Sequence, residues 1–289
     1  MEKVFVAKAY AKVNFNLKVL PKREDGFHNI ESIFQTVDLY DELRVRKTQS
    51  PGCQVVCKSI ELPPKNTLTS AYQAFIEVAG CKVPGIEVEL IKGIPSGGGL
   101  GGGSSDAAAL IRVLEKMCGL KLSDMQLDYV ASKTGSDVFF FMHCDKKGRG
   151  CALVSGRGEI IRKIKSRHDL YLLFVFPEIS SSTKEAYALV DELLTEENKI
   201  KCPEFGELES IYMKAPQNWT FNNTFTKALS NRYKQIGQIL SELKRLGAPY
   251  SDMSGSGSTV FAVFTKKQQA TYCSNLLADT LSWKIVQTI

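Results

Sequence analysis

The stretch Pro95–Ala109 reads Pro-Ser-Gly-Gly-Gly-Leu-Gly-Gly-Gly-Ser-Ser-Asp-Ala-Ala-Ala and guides the interpretation of the whole chain. Six of the seven residues in Gly97–Gly103 are glycine. Apolar residues at helical spacing follow as far as Gly119, which predicts an amphipathic helix capped by Ser104 or Ser105. A loop without side chains before a helix N-terminus lets backbone N–H groups approach an anion, and the helix dipole favours phosphate. The segment therefore predicts a site for a phosphate-bearing ligand.

Two common kinds of glycine loop fit this spacing poorly. The P-loop requires a lysine after its last glycine, where this chain has Ser104. The dinucleotide fingerprint requires an acidic residue at the end of a second strand, but Ser123 and Gln126 predict a capping box that opens a helix there. A flexible linker is also disfavoured, because the strand-like run Ile86–Ile91 precedes the loop.

Composition narrows the class of protein. The 289 residues suffice for one large or two modest domains, and the formal net charge is +6. Lys and Arg form no dense block and do not alternate with aromatic residues, so we expect no nucleic-acid partner. The eight cysteines lack metal-site spacing, which predicts free thiols and no metal-ligating residues. Without a long apolar run or a signal-peptide pattern, we expect a cytoplasmic monomer or homodimer with no membrane partner.

Strand and helix patterns follow each other irregularly, which predicts the α+β class. The predicted strands lie at about 3–20, 33–37, 43–45, 53–57, 86–91, 170–176 and 259–264, and the predicted helices lie at about 67–79, 107–118, 183–194, 233–246 and 266–281. A helix that starts at Ser123 is predicted to end near Gly135, where Gly135–Phe141 opens a buried strand. Polar segments lie around 195–210 and at 163–169, and the second predicts a boundary between domains 1–165 and 166–289.

Five segments together resemble the GHMP small-molecule kinases. The glycine loop with its two serines resembles their nucleotide loop. Ala9-Tyr-Ala-Lys-Val-Asn-Phe-Asn-Leu17 resembles their first motif, with Tyr10 in place of a proline. Gly135-Ser-Asp-Val138 resembles a further motif, although Phe139 replaces its proline, and Met253–Ser258 resembles the third. Arg23-Glu-Asp-Gly-Phe-His28 resembles the turn that marks the branch acting on 4-diphosphocytidyl-2-C-methyl-D-erythritol.

The resemblance implies a two-lobe GHMP kinase fold. Its N-terminal lobe, 1–165, would be ribosomal-protein-S5-like and bind ATP, and its C-terminal lobe, 166–289, would be ferredoxin-like. The active site would lie in the cleft between them. The implied reaction transfers a phosphoryl group from ATP, with Mg²⁺, to the 2-hydroxyl of 4-diphosphocytidyl-2-C-methyl-D-erythritol in non-mevalonate isoprenoid biosynthesis.

The resemblance also assigns catalytic and ATP-binding residues. Asp137 would act as the general base or orient the attacking hydroxyl, and Lys12 would keep its carboxylate ionised. Asn66 and Thr67 either border the adenine or only start a helix. Asp106 either positions Mg²⁺ or, as we prefer, favours the helix N-terminus. The ATP phosphates are expected at Pro95, Gly97, Gly98, Gly99, Leu100, Gly101, Gly102, Gly103, Ser104 and Ser105, where the serine hydroxyls can also meet Mg²⁺.

The expected acceptor site needs stacking surfaces and an anion-binding turn. Phe27 and Phe221 are the predicted stacking partners of the cytosine ring, and His28 is predicted to read its edge. Asn14, two residues after Lys12, would project from the same strand face and bind the substrate. Ser254, Gly255 and Ser256 are expected to hold the substrate phosphates with backbone N–H groups.

Three other functions stay open at this point. The chain could be another GHMP kinase, acting on homoserine, mevalonate or a sugar, although the turn Gly26–His28 suits a cytosine platform. It could be a GHMP-fold sensor without turnover, which the presence of Lys12 and Asp137 disfavours. A glycine-rich nucleic-acid binder is suggested only by the positive charge.

Overall fold

Two long strands begin the chain: β1 spans Phe5–Lys22 and β2 spans His28–Thr48. The computed structural model describes residues 3–179, 182–193 and 200–289. The prediction of two short strands at 33–37 and 43–45 is wrong, because β2 is continuous through both. The acidic residues between them do not break the strand, since Asp41 is fully buried and accepts hydrogen bonds from the backbone N–H groups of Gly93 and Ile94.

Short strands and helices alternate irregularly after β2, which confirms the α+β class. The strands are β3 (Cys53–Cys57), β4 (Gly85–Ile91), β5 (Cys151–Ser155), β6 (Ile160–Lys163), β7 (Tyr171–Phe176), β8 (Tyr250–Met253), β9 (Val260–Phe264) and β10 (Ser282–Gln287). The helices are α1 (Thr67–Ala79), α2 (Gly102–Cys118), α3 (Asp124–Thr134), α4 (Ser136–His143), α5 (Thr183–Leu193), α6 (Leu208–Tyr212), α7 (Thr224–Arg232), α8 (Lys234–Arg245) and α9 (Lys267–Asn275). The predicted helix end at 194 and the start of the polar segment at 195 fall in 194–199, outside the described residues.

The first three helices end and begin largely as their sequence signals predict. Gly80 follows α1 and Gly119 follows α2, and both adopt the left-handed conformation that closes a helix. The predicted capping box opens α3, where the side chains of Ser123 and Gln126 each accept a hydrogen bond from the other residue's backbone.

Two elements differ from the prediction, one in type and one in length. The predicted buried strand at Gly135–Phe141 is instead helix α4. Its buried residues include Val138, Phe141 and Met142, whose spacing fits one helix face, and a short apolar run does not by itself distinguish strand from helix. The predicted final helix at 266–281 is also shorter, since α9 ends at Asn275 and β10 follows.

By its internal contacts the chain divides into two units that interleave in sequence. The first contains residues 1–11, 39–96 and 101–150, and the second contains 12–38, 97–100 and 151–289. Both β1 and β2 contribute residues to each unit. The domain boundary placed between residues 165 and 166 stays a prediction.

The first unit combines a small sheet with helices α1–α4. β3 pairs in parallel with β4, in the register Cys53 to Ile86. β4 pairs antiparallel with the C-terminal part of β2, in the register Thr48 to Gly85. Helix α1 packs against α2 and α3, and α4 packs against α2 and α3. This packing holds the first turn of α2, which follows the glycine loop.

The second unit contains a four-stranded antiparallel sheet in the order β10-β7-β9-β8, with α5–α9 in the same unit. Its buried aromatic core includes Phe15, Tyr212, Trp219 and Phe261, with Phe15 and Trp219 ring centroids 5.0 Å apart. β5 pairs antiparallel with the N-terminal part of β2 and with β6. Among the described residues, no helix is both long and apolar enough to span a bilayer.

Candidate functional site

The backbone of the glycine loop adopts conformations that few other residues tolerate. Gly97, Gly99 and Gly101 have φ angles of 72°, 74° and 71°. For a residue with a side chain, this left-handed conformation costs about 1–2 kcal/mol. The alternate glycines therefore allow a backbone path that the intervening residues Gly98 and Leu100 follow without such angles.

Helix α2 begins without a side-chain cap. Its first residue is Gly102, and the preceding Gly101 makes no side-chain cap hydrogen bond. The prediction that Ser104 or Ser105 caps the helix is therefore wrong, because both lie inside the first turn, where Ser105 N–H donates to Gly101 O at 2.9 Å. An uncapped helix start leaves backbone N–H groups for an anionic ligand, as the sequence predicted on other grounds.

The start of α1 contacts the same loop. Thr67 lies against Gly103, where a Cβ atom would come within 3.2 Å of the Thr67 hydroxyl oxygen. Asn66 caps α1, because its Oδ1 accepts from the N–H groups of Leu68 and Thr69 at 3.0 and 3.1 Å. The capping role of Asn66 is thus confirmed, and contact of Asn66 and Thr67 with adenine stays a prediction.

The glycine loop and the Ser254–Ser258 turn contact each other closely. The Ser254 hydroxyl donates to Gly99 O at 3.1 Å, and Thr259 N–H donates to Gly98 O at 3.3 Å. A Cβ atom on Gly99 would lie 2.0 Å from Ser254 O, and one on Gly255 would lie 2.9 Å from Gly99 O. Glycine at 99 and 255 therefore lets the two predicted phosphate-binding segments meet.

Lys12 and Asn14 lie beside this contact on β1. Lys12 is 3% exposed, its Nζ donates to Asn14 Oδ1 at 2.6 Å, and it lies 4.4 Å from the centroid of the Phe34 ring. The backbone N–H of Lys12 donates to Leu100 O at 2.9 Å. Asn14 N–H donates to the Ser254 hydroxyl at 3.3 Å, so both predicted phosphate-binding segments contact this strand. The prediction that Lys12 and Asn14 share a strand face is confirmed.

Asp137 is the second residue of α4, and Gly135 is the N-cap residue of that helix. Its side chain is half-buried, and an anionic side chain at a helix N-terminus is stabilised by the helix dipole. Asp137 belongs to the first unit and Lys12 to the second. Their pairing therefore stays a prediction, as does the role of Asp137 in catalysis.

Phe27 is the exposed aromatic residue of the predicted cytosine platform. Its side chain is 54% exposed, and the guanidinium of Arg157 lies 4.8 Å from its ring centroid. The turn before it is closed by Gly26, at φ 82°, and by Asp25, whose Oδ1 accepts from Phe27 N–H at 3.1 Å. The ring is thus more than half exposed and is carried on a hydrogen-bonded turn.

His28 is buried beside an aromatic residue that the sequence analysis missed. The ring of Tyr187 stacks on it at 5.1 Å between centroids and 20° between planes. His28 Nδ1 lies 2.8 Å from Leu20 O, and Nε2 lies 3.1 Å from Asp191 Oδ1. Both ring nitrogens therefore face acceptors within the protein, and side-chain recognition of cytosine by His28 stays a prediction. Tyr187 lies on a helix about 160 residues from His28, with no local signal linking the two.

Phe221 has a different environment from Phe27. It is 3% exposed and packs against Trp219 and Tyr250, at centroid distances of 5.1 and 6.3 Å. A ring buried among other rings offers little free face to a base. Stacking by Phe221 stays a prediction, and its burial disfavours it.

Asp106 belongs to a buried ionic cluster rather than to an open helix start. Lys92 Nζ lies 3.3 Å from Asp106 Oδ2 and also contacts Asp41, while a Cβ atom on Gly102 would come within 3.2 Å of Lys92 Nζ. Burial raises the pKa of Asp106 to about 8, although Lys92 opposes the shift. Despite the cost of burial, the two carboxylates raise the pKa of Lys92. The cluster therefore packs against the first turn of α2, at Gly102.

Comparison with known proteins identifies both parts of the chain. The model of the GHMP kinases N terminal domain matches residues 66–145, and that of the GHMP kinases C terminal domain matches residues 203–272. The chain is 35% identical to 4-diphosphocytidyl-2-C-methyl-D-erythritol kinase of Treponema pallidum, over 96% of this chain and 95% of that one. It is 37% identical to the enzyme of that name from Pseudothermotoga lettingae, over 91% and 92% of the two chains.

Solved structures show the same fold. A crystal structure of 4-(cytidine 5'-diphospho)-2C-methyl-D-erythritol kinase matches with a TM-score of 0.80 at 25% identity, covering 98% of this chain and 99% of that one. Homoserine kinase from Cytophaga hutchinsonii matches with a TM-score of 0.74 at 20% identity, covering 100% and 96%. The second similarity concerns the fold alone.

Two glycine variants test the contact between the loop and the turn. We expect Gly97→Ala, where no atom lies within 4 Å of the new Cβ, to lower the free energy of unfolding by about 1–2 kcal/mol, the cost of its φ angle. Gly99→Ala adds a clash with Ser254 O to the same cost and should lower it further. Urea unfolding of both variants measures the difference, and equal losses would contradict the close contact.

The pKa of Asp106 predicts a pH dependence of stability. Because the folded pKa, about 8, exceeds the ordinary value of 3.8, the folded protein binds the proton more tightly than the unfolded chain. This contribution is complete below the ordinary pKa and is lost as pH rises towards about 8. We expect Asp106→Asn to reduce the fall in unfolding free energy between about pH 5 and 8. Urea unfolding across that range, with Asp124→Asn at an exposed site as control, tests it; parallel curves would refute it.

Proposed function

Because this chain belongs to the 4-diphosphocytidyl-2-C-methyl-D-erythritol kinases of the GHMP kinase family, we propose that it phosphorylates the 2-hydroxyl of 4-diphosphocytidyl-2-C-methyl-D-erythritol with ATP. The products are ADP and the 2-phosphate, an intermediate of non-mevalonate isoprenoid synthesis. The observation that carries the proposal is the uncapped, glycine-built start of α2. It suits a nucleotide phosphate, and the full-length similarity to kinases of that name supplies the acceptor.

The glycine loop binds the ATP phosphates in this proposal. Its backbone N–H groups, together with those of the first turn of α2, donate to phosphate oxygens, and the helix dipole adds to the attraction. The hydroxyls of Ser104 and Ser105 lie in that turn and add contacts to phosphate or to Mg²⁺. Magnesium is commonly held by substrate phosphates with few protein ligands, and it would neutralise charge on the transferred group.

Asp137 and Lys12 act on the acceptor hydroxyl. Phosphoryl transfer depends on a nucleophile held in line and on stabilised charge, so a single oriented carboxylate suffices for the acceptor side. Asp137 accepts the proton of the 2-hydroxyl or orients that group. Lys12 and Asn14, already joined at 2.6 Å, present an ammonium and an amide from one strand face to the acceptor.

The cytidine end of the acceptor binds on the second unit. Phe27 stacks on the cytosine ring, since its ring is exposed and fixed on a closed turn. The stacked pair His28 and Tyr187 adds a second aromatic surface within the same unit. The Ser254–Ser258 turn holds the substrate phosphates through its backbone N–H groups.

The setting of this activity follows from the chemistry. We place the enzyme in the cytoplasm, where ATP is available and where the eight cysteines, which the structure shows as thiols rather than disulfides, stay reduced. The partners are the two small-molecule substrates. A monomer or a homodimer would serve equally, since the groups assigned here all come from one chain.

The direct test is an ADP-release assay. Purified protein with Mg·ATP should release ADP when 4-diphosphocytidyl-2-C-methyl-D-erythritol is added, and not with homoserine or mevalonate. Turnover of another alcohol would support the assignment of the glycine loop to ATP and contradict the proposed cytidine site. No ADP with any acceptor would favour a sensor without turnover, and a gel shift at low salt would reveal a nucleic-acid binder.

Substitution of the proposed acceptor-activating groups should abolish turnover in a folded protein. We expect Asp137→Asn and Lys12→Met each to lower kcat by about a hundredfold or more, the range of acid–base and orienting contributions. Asp124→Asn, an exposed acid in the first turn of α3, should retain full activity. Steady-state kinetics with circular dichroism as a folding check measure this, and near-normal kcat in either variant would remove that residue from catalysis.

Phe27 should matter for one substrate and not the other. Loss of base stacking costs about 1–3 kcal/mol, so Phe27→Ala should raise the KM for the cytidyl substrate by roughly 5- to 150-fold. The KM for ATP should stay within about twofold of its value in the unchanged protein. The separate variant Phe27→Tyr keeps an aromatic ring and should retain the acceptor KM of the unchanged protein. Equal changes in both KM values would argue against a stacking role.

A further inference from the structure

Asn223 lies next to the Ser254–Ser258 turn and is absent from the site residues assigned above. It is 4% exposed and immediately precedes α7. Its Nδ2 donates to Met253 O at 2.7 Å and to Gly255 O at 2.8 Å. Its Oδ1 accepts from Phe225 N–H at 2.9 Å and caps α7. Both hydrogens and the oxygen of this buried amide are therefore used, and the two donated bonds go to Gly255 in the turn and to Met253, the last residue of β8 directly before it.

The two carbonyl contacts fix the direction of the turn's N–H groups. In a trans peptide the C=O and the following N–H point in opposite directions. A Gly255 carbonyl held on the Asn223 amide therefore directs the Ser256 N–H to the opposite side, away from Asn223. The Met253 carbonyl fixes Ser254 N–H in the same way, and that group donates to Thr259 O at 2.9 Å. Asn223 thus sets the side of the turn towards which the Ser256 N–H points.

The neighbouring residue Asn222 ties this segment to the strand that carries Lys12. Leu17 N–H donates to Asn222 O at 2.9 Å, and Asn222 N–H donates to Asn16 Oδ1 at 3.2 Å. Asn16 is buried and adopts a left-handed φ of 60°, which places its amide across from Asn222. The residues of this link all belong to the second unit, so it positions the turn relative to the part of β1 that lies in that unit.

We propose that Asn223 is a positioning residue that holds the Ser254–Ser258 turn in the shape that binds the phosphates of the acceptor. The identity of the ligand rests on the proposed function. The positioning role itself rests on the two hydrogen bonds that the Asn223 amide donates to the carbonyls of Met253 and Gly255. Asn223 touches the turn and not the reacting atoms. Its loss should therefore change acceptor binding more than ATP binding.

The test replaces Asn223 by serine. Serine is also a good N-cap, so Asn223→Ser can keep the cap on α7 while it removes the two hydrogen bonds donated to the carbonyls of Met253 and Gly255. Asn222→Ser is the matched control, because the Asn222 side chain is exposed and its contacts to β1 run through its backbone. We expect the KM for the cytidyl substrate to rise about tenfold in Asn223→Ser, with the KM for ATP within about threefold and the control unchanged.

A second readout does not depend on activity. Ser254 N–H donates to Thr259 O, the residue just after the turn, and Gly257 N–H donates to Ser254 O within it. In the protein without ligands, their hydrogen exchange should be about tenfold faster in Asn223→Ser than in the unchanged protein or in Asn222→Ser. Unchanged exchange would overturn the proposal. If the unchanged protein does not phosphorylate the cytidyl substrate, the proposed function fails, and the exchange rates still decide whether Asn223 holds the turn.

Discussion

The close approach of Gly99 to the Ser254–Ser258 turn is the constraint on which much of the candidate site depends. At this point two backbones come so near that a single methyl group would lie 2.0 Å from a carbonyl oxygen. Lys12 N–H and Asn14 N–H bond to the residues on either side of the contact, at Leu100 O and the Ser254 hydroxyl. The position of the strand, the loop and the turn is thus set by main-chain geometry, and glycine is required because it has no side chain.

The parts of such a site that depend on glycine residues and on helix-capping residues can be predicted from the sequence. The glycine run is a continuous signal, whereas the closing residues Gly80 and Gly119 and the capping box at Ser123 act over four residues or fewer. Each of these signals appears in the structure as predicted. The pairing of Lys12 with Asn14 is also local, because alternate residues of a strand share a face.

The errors arise where tertiary contacts override a local pattern. Ser104 is a good capping residue by type, but Gly101 ends the loop first and leaves the serines inside the helix. Polar residues such as Asp41 signal a strand end by composition, yet hydrogen bonds to Gly93 and Ile94 keep this one buried within β2. The stacking of Tyr187 on His28 joins distant segments, and a single sequence contains no periodic signal for such a contact.

Buried asparagines make contacts in this site that the sequence alone does not reveal. A buried amide without partners costs free energy, so an asparagine with every group satisfied marks a place where several backbone segments must be held together. Asn14, Asn16 and Asn223 are all under 5% exposed, and each joins segments far apart in sequence. Glycine lets the segments of this site meet, and these amides determine the orientation in which they meet. The sequence reveals the first contribution directly, whereas the second depends on contacts that only the folded chain creates.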